Sequence, residues 1–143
     1  MLVLRPEQLA VIEQHMVQSR QRRVERAIAA SFPELSSVDP SAGQRVPGEQ
    51  VKGIVERGVQ SAAGLGIEEA PDLAAFIALG LALRTVPPET PTDWIKSWLA
   101  RPDTPGATKL AIIEAQLAQS GVENPALSLV AKRVAHARQQ VLV

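Results

Sequence analysis

Two histidines are the residues of this 143-residue chain best suited to metal or proton chemistry, and they stand far apart at His15 and His136. A zinc site needs three or four ligands at short, defined spacings, such as two histidines one helical turn apart. The chain has no cysteine to complete such a set. We therefore expect both histidines to be structural or surface residues, and we predict no metal site.

The residue types of a hydrolytic triad are present, but their sequence context is not that of a hydrolase. Ser61, Asp72 and His136 would supply nucleophile, acid and base, yet no nucleophile-elbow pattern surrounds a serine. Glu68 and Glu69 precede an apolar segment, where negative charge complements the start of a helix. A general acid–base pair would need one carboxylate in an apolar pocket. We expect no catalytic residues and no enzyme; a small hydrolase or metal enzyme stays open as an alternative.

The glycines do not indicate a phosphate or nucleotide site. Phosphate-binding fingerprints need a strand before a glycine-rich turn that leads into a helix. Here Gly53 and Gly58 lie inside a predicted helix, and Gly64 and Gly66 lie at its end. The two interior glycines favour close packing of helices instead. We predict no bound cofactor.

Arginines and tryptophans are the best candidates for binding a protein partner, because these residue types concentrate binding energy in interfaces. An advance of about 100° per residue brings three arginines together on the first predicted helix. Two tryptophans share one face of a short helix further along. A solvated arginine face and a pair of core tryptophans are the alternatives. The predicted partner-binding residues are Arg22, Arg23, Arg26, Trp94 and Trp98.

Charge and hydropathy count against several other partners. Fifteen basic and fifteen acidic residues give no net charge, and no aromatic residue interleaves with the arginines, so we expect no nucleic-acid binding. The longest apolar run, residues 73–83, is shorter than the roughly 20 residues that cross a bilayer. We expect no membrane association. The absence of cysteine and of a signal-peptide pattern favours the cytoplasm.

Eleven prolines mark the boundaries of an all-α fold. Proline suits the first turn of a helix, where its missing N–H is not needed. We predict one domain over 1–143, a compact bundle of about six helices with no sheet. Residues 33–48 are predicted as a loop that separates the first helix from the rest. The predicted helices cover 6–31, 47–63, 71–83, a short segment after Pro91, 105–120 and 125–143.

Three helices carry more specific expectations. The third is apolar nearly all round, which predicts a central position with Phe76 buried. The last is locally positive, and this charge would face either the acidic middle of the chain or an acidic partner. The first has an apolar face with helical periodicity, formed by Leu9, Ile12, Met16, Val24, Ala27 and Ile28.

Several segments, taken in order, resemble a known group of proteins. They are Met1–Leu9, the arginine-rich first helix ending at Phe32-Pro33, Val51–Gly58, Gly64–Ile67, Asp72–Phe76 and Trp94. This order is similar to that of small helical proteins encoded in bacterial type VI secretion clusters, beside spike proteins, toxic effectors and adaptor chaperones. The resemblance covers roughly residues 1–100. Thr85–Pro88 departs from it, because members often have glycine there.

The resemblance implies a non-enzymatic accessory role and transfers no catalytic residue. We expect a co-chaperone that helps load or stabilise a secreted effector, with an effector, adaptor chaperone or spike protein as its partner. A homodimer is left open. The alternative is an immunity protein that occludes the active site of a toxin. Such inhibitors often carry charge complementary to the toxin, which the zero net charge mildly disfavours.

Overall fold

The computed structural model describes residues 5–38 and 45–142, and within them six α-helices form a bundle. The all-α class and the six helices predicted from the sequence are confirmed. The helix bounds are α1 Pro6–Ser31, α2 Glu49–Ala63, α3 Ala70–Leu83, α4 Asp93–Leu99, α5 Gly106–Ser120 and α6 Pro125–Leu142.

Each of the six α-helices has a proline within two residues of its first residue. Pro125 opens α6, and the side-chain oxygen of Asn124 accepts the Ala126 and Leu127 amides at 3.0 and 3.2 Å. These bonds satisfy donors that the first turn of a helix leaves unpaired. Three helices begin later than predicted, α2 at Glu49, α4 at Asp93 and α5 at Gly106.

The stretch predicted as a loop over 33–48 is partly regular. A 3-10 turn covers Pro33–Leu35, and strand β1 (Ser36–Val38) pairs antiparallel with β2 (Arg45–Pro47). The Gly48 amide donates to the Leu35 carbonyl at 3.2 Å, which closes the segment before α2 begins. Strands of three residues are too short to show an alternating pattern in sequence. The remainder of the predicted loop, residues 39–44, lies outside the described residues.

The core is built around α3, as the sequence predicts. Eight of the 14 residues of this helix are buried, and it packs against α1, α2, α5 and α6. Small side chains on α3 and its neighbours let the helix axes approach closely, which suits a chain with little aromatic content. The buried α3 residues are Ala70, Leu73, Ala74, Ala75, Ile77, Ala78, Leu79 and Ala82. Phe76 is only half-buried, so its predicted place inside the core is wrong.

Two glycines mark contacts too close for any side chain. A Cβ built on Gly58 would lie 2.5 Å from Ile77 Cγ1, which confirms close packing of α2 on α3. A Cβ on Gly106 would overlap the Leu65 carbonyl oxygen. Gly53 has no such constraint, because its Cβ would meet Arg57 Nη1 at an ordinary 3.5 Å. The expectation of close packing therefore holds for Gly58 and not for Gly53.

An ionic cluster joins α6 to α3 and α5. Arg138 donates from Nη1 to Asp72 Oδ1 at 2.7 Å and from Nη2 to Glu114 Oε2 at 2.7 Å. Its Nε also donates to Glu114 Oε1 at 3.0 Å, so the contact with Glu114 is bidentate. The hydrogen bonds to Glu114 are the largest cause that raises the pKa of Arg138. For this arginine, the positive charge of the last helix faces inward.

Candidate functional site

The first half of α1 keeps its apolar side chains in water. We call residues 6–19 the α1 arm; every one of them is exposed. Beyond the arm, Val24, Ala27 and Ile28 are at most 1% exposed and pack in the core. The apolar face predicted along the whole helix is thus covered only in its second half. The large apolar side chains of the arm, 44 to 67% exposed, are Leu9, Val11, Ile12, Met16 and Val17.

Two arginines hold α1 where the arm leaves the bundle. Arg20 Nη1 donates to the Glu68 carbonyl oxygen, and Arg23 Nη2 donates to the Val141 carbonyl oxygen, each at 3.0 Å. A separate helix of the arm's length would be marginal in water, because helix nucleation is costly. The docked second half of α1 supplies the nucleus, and the arm extends it. The arm is thereby presented as a preformed helix.

A groove runs between the arm and the start of α3. Its volume is about 870 Å³. Ile12, Met16, Arg20 and Arg23 of α1 line one wall, and Glu68 and Glu69 lie on the other. An occupant would therefore meet apolar side chains together with charges of both signs. This combination suits an apolar protein segment with polar side chains at its edge.

The predicted arginine patch lies beside this surface, on the docked half of α1. Arg22, Arg23 and Arg26 are all exposed. Arg23 is committed to the Val141 carbonyl, whereas the side chains of Arg22 and Arg26 make no hydrogen bond or ion pair within residues 5–38 and 45–142. These two arginines are one helical turn apart. They are consequently available to acidic groups on a partner that also covers the arm.

The predicted tryptophan pair occupies a different helix. Trp94 and Trp98 are half-buried and pack against the core, while Ile95 is the fully buried residue of α4. Trp94 Nε1 donates to the Pro91 carbonyl at 3.0 Å, and the Arg101 guanidinium stacks 4.2 Å from the centre of the Trp98 ring. The tryptophans are on α4, which packs chiefly on α5, whereas the predicted arginines are on α1.

A second groove lies between α2 and α3, and sequence reasoning missed it. We call it the α2–α3 groove; its volume is about 400 Å³. An α3 helix without a polar face gives no sign of which side remains uncovered. Half-buried apolar residues from three helices form its walls, and two arginines are its charged members. Its lining comprises Ile54, Arg57, Gly58, Ser61, Phe76, Ile77, Leu79, Gly80, Leu81, Leu83, Arg84 and Leu99.

Gly80, on the wall of this groove, is expected to tolerate a side chain. A Cβ there would meet no atom within 4 Å, so Gly80→Ala should raise the free energy of unfolding by about 0.5–1 kcal/mol by removing a helix glycine. Urea unfolding followed by circular dichroism measures the change. Gly58→Ala is the matched contrast and should be destabilising, because its Cβ would press on Ile77. A loss of stability in Gly80→Ala would show that the space is filled.

The three residues whose types could form a hydrolytic triad have separate partners. Asp72 pairs with Arg138, Ser61 lines the α2–α3 groove, and His136 Nδ1 lies 2.8 Å from Ser31 Oγ. Gln140 Nε2 lies 3.3 Å from His136 Nε2. The contacts of His136 are thus with Ser31 and Gln140, and neither Ser61 nor Asp72 is among them.

The remaining residue types that suit metal binding are dispersed. Across residues 5–38 and 45–142, no three of the histidines and carboxylates lie close enough together to hold a metal ion. His15 is exposed and borders the groove beside the α1 arm. The two grooves and the arm are therefore the surface features that suit recognition.

Neither a membrane-spanning helix nor a similar protein helps to assign these surfaces. Within the described part of the chain, no helix has both the length and the apolar character needed to cross a membrane. The chain matches no protein-family profile, no curated protein and no solved structure.

Proposed function

We propose that this protein is a non-enzymatic interaction factor of the bacterial cytoplasm that helps load or stabilise a type VI secretion effector or its adaptor. One observation carries the proposal: the α1 arm holds five large apolar side chains in water on a preformed helix. Exposed apolar patches of this kind mark interaction sites. The order of the segments that resemble secretion-cluster proteins supports this class of partner.

The arm suits recognition of an apolar groove on the partner. Leu9, Ile12 and Met16 recur at the spacing with which an amphipathic helix anchors itself in such a groove. Because the arm is already helical, binding costs less conformational entropy than folding a disordered segment would. Arg22 and Arg26, next to the arm, would meet acidic groups at the edge of the contact. Covering an apolar surface in this way keeps an effector from aggregating before it is loaded.

Placing two charges on the arm is expected to abolish partner binding and to leave the fold intact. Ile12→Asp with Met16→Asp changes side chains that are exposed, so the melting temperature should stay near that of the wild type. The measurement is co-purification with spike, adaptor and effector proteins of a type VI secretion system. Val122→Asp with Leu129→Asp is the matched control, since it charges two exposed apolar side chains outside the arm.

Two outcomes of that experiment contradict the proposal. One is a wild-type protein that recovers none of the three kinds of secretion protein. The other is an arm variant that recovers them as well as the control does. Co-expression then separates the alternatives: better solubility or secretion of the effector supports a co-chaperone, whereas rescue of growth from the toxin with unchanged solubility supports an immunity protein.

A further inference from the structure

We infer that the α2–α3 groove binds an amphipathic helix of a protein partner whose apolar stripe is flanked by acidic side chains. The inference rests on the proposed function in one respect only, namely that the binding partner is a protein. It concerns a different surface from the α1 arm, because no arm residue lines this groove.

Charge defines the first requirement for the occupant. Arg57 and Arg84 are the charged residues of the lining, both are exposed, and no carboxylate stands among the lining residues. Neither guanidinium has a hydrogen bond or an ion pair within the described ranges, whereas Arg133 and Arg138 are both paired with carboxylates. Unpaired guanidinium groups beside an apolar surface favour a partner that brings carboxylates.

Shape defines the second requirement. Gly80 is exposed in the last turn of α3, where a glycine is less favourable than alanine, and no neighbouring atom obliges it to lack a side chain. The missing side chain leaves room along the outer side of the helix. Phe76, one turn before Gly80, is left half-buried beside that room. The groove therefore has space for apolar side chains that enter between α2 and α3.

The spread of the apolar lining favours a helix over a small ligand. Half-buried apolar side chains come from three elements, Ile54 of α2, Phe76 of α3 and Leu99 of α4. Sites for small ligands enclose most of the surface of the ligand, whereas this groove is partly open to solvent. A helix laid along α3 would cover all three side chains, with apolar anchors at intervals of three and four residues.

Two synthetic helical peptides of about 16 residues test the inference. They share one stripe of leucine and alanine and differ in their flanks, which carry only glutamate or only lysine. Fluorescence anisotropy with the full chain should show the glutamate peptide binding at least about tenfold more tightly. Arg57→Glu with Arg84→Glu should reverse this preference. Lys52→Glu with Lys132→Glu, at exposed sites outside the groove, should leave it unchanged.

Filling the groove tests the same inference without a change of charge. Gly80→Leu should weaken the glutamate peptide by about tenfold or more, since a leucine would occupy the space of an anchor. Ala115→Leu adds the same side chain at an exposed site on α5 and should have no effect. Circular dichroism checks that Gly80→Leu remains folded, and the arginine variants provide a second test if it does not.

Three results would overturn the inference. The two peptides bind alike, or Gly80→Leu binds as the wild type does, or dodecanoate binds in a Gly80-dependent way while neither peptide does. The last result would assign the groove to small anionic amphiphiles. The arm variant Ile12→Asp with Met16→Asp should still bind the glutamate peptide, so a failure of the proposed secretion role leaves this result standing.

Discussion

Phe32→Ala is expected to lower the free energy of unfolding by about 3–5 kcal/mol, the usual cost of emptying a buried aromatic site. Phe32 is 2% exposed and follows the last residue of α1, where its amide donates to the Ile28 carbonyl at 2.8 Å. The Arg133 guanidinium covers the ring at 4.6 Å from its centre. Removing the ring therefore loses apolar burial, leaves a cavity and removes a cation–π contact.

The other phenylalanine of the chain provides the matched control. Phe76 lies at the α2–α3 groove and is half-buried, so Phe76→Ala leaves no closed cavity and should cost only about 1–2 kcal/mol. Urea unfolding followed by circular dichroism compares the two variants. Equal losses of unfolding free energy in the two variants would contradict a buried Phe32 and a half-buried Phe76. The sequence alone favours Phe76 as the buried ring, and the structure transfers that role to Phe32.

Arg138→Met is expected to cost about 2–3 kcal/mol near neutral pH, because it leaves two partly buried carboxylates without their cation. Asp72 and Glu114, both held by Arg138, have side chains only 18% and 21% exposed. The Arg138 side chain is 29% exposed, so the loss should fall short of that for a fully buried pair.

Arg133→Met, on the same helix, is the comparison for Arg138→Met. Its partner Glu34 is 53% exposed, so the variant should lose only about 0.5–1 kcal/mol. The hydrogen bond from Arg133 is the main cause that lowers the pKa of Glu34. Because the pKa of Glu34 is lower in the folded state, the ionised carboxylate stabilises the fold at any pH above its unfolded-state pKa. This stabilisation is lost as the pH falls through the folded-state pKa.

Unfolding curves near pH 7 test both arginine variants, and we expect a clear ranking, with Arg138→Met the less stable. An Arg138→Met protein as stable as the wild type would show that the cluster contributes nothing. Curves for Arg133→Met and the wild type should converge at lower pH, because the contribution of Glu34 is lost as the pH falls. A gap between these two proteins that widens in acid would contradict the role of Glu34.

The helices were largely predictable because their signals are local. Pro6 and Pro125 open helices through a steric rule that needs no knowledge of the rest of the fold. The extent of core burial along α1 was not predictable in the same way. Leu9 and Val24 follow one periodic pattern, yet only Val24 is buried. The difference comes from length: the 26 residues of α1 span about 39 Å, and the 14 residues of α3 span about 21 Å.

The α2–α3 groove depended on tertiary structure for a different reason. A run as apolar as α3 predicts burial, but it does not say which side its neighbours leave uncovered. Phe76 and Leu79 have the same sequence context, and only the placement of α2 and α4 separates the half-buried side chain from the buried one. Arg57 and Arg84 lie 27 positions apart in the chain, so their common groove could not be inferred from spacing.

The placement of both tryptophans on α4 also determines what the intrinsic fluorescence of the protein can report. The chain has no tyrosine and two tryptophans, so its near-ultraviolet emission comes almost entirely from Trp94 and Trp98. Trp98 adjoins Leu99, which lines the α2–α3 groove. An occupant of that groove should therefore shift the emission, while a partner on the α1 arm changes it little. One unlabelled sample thus distinguishes which of the two surfaces is occupied.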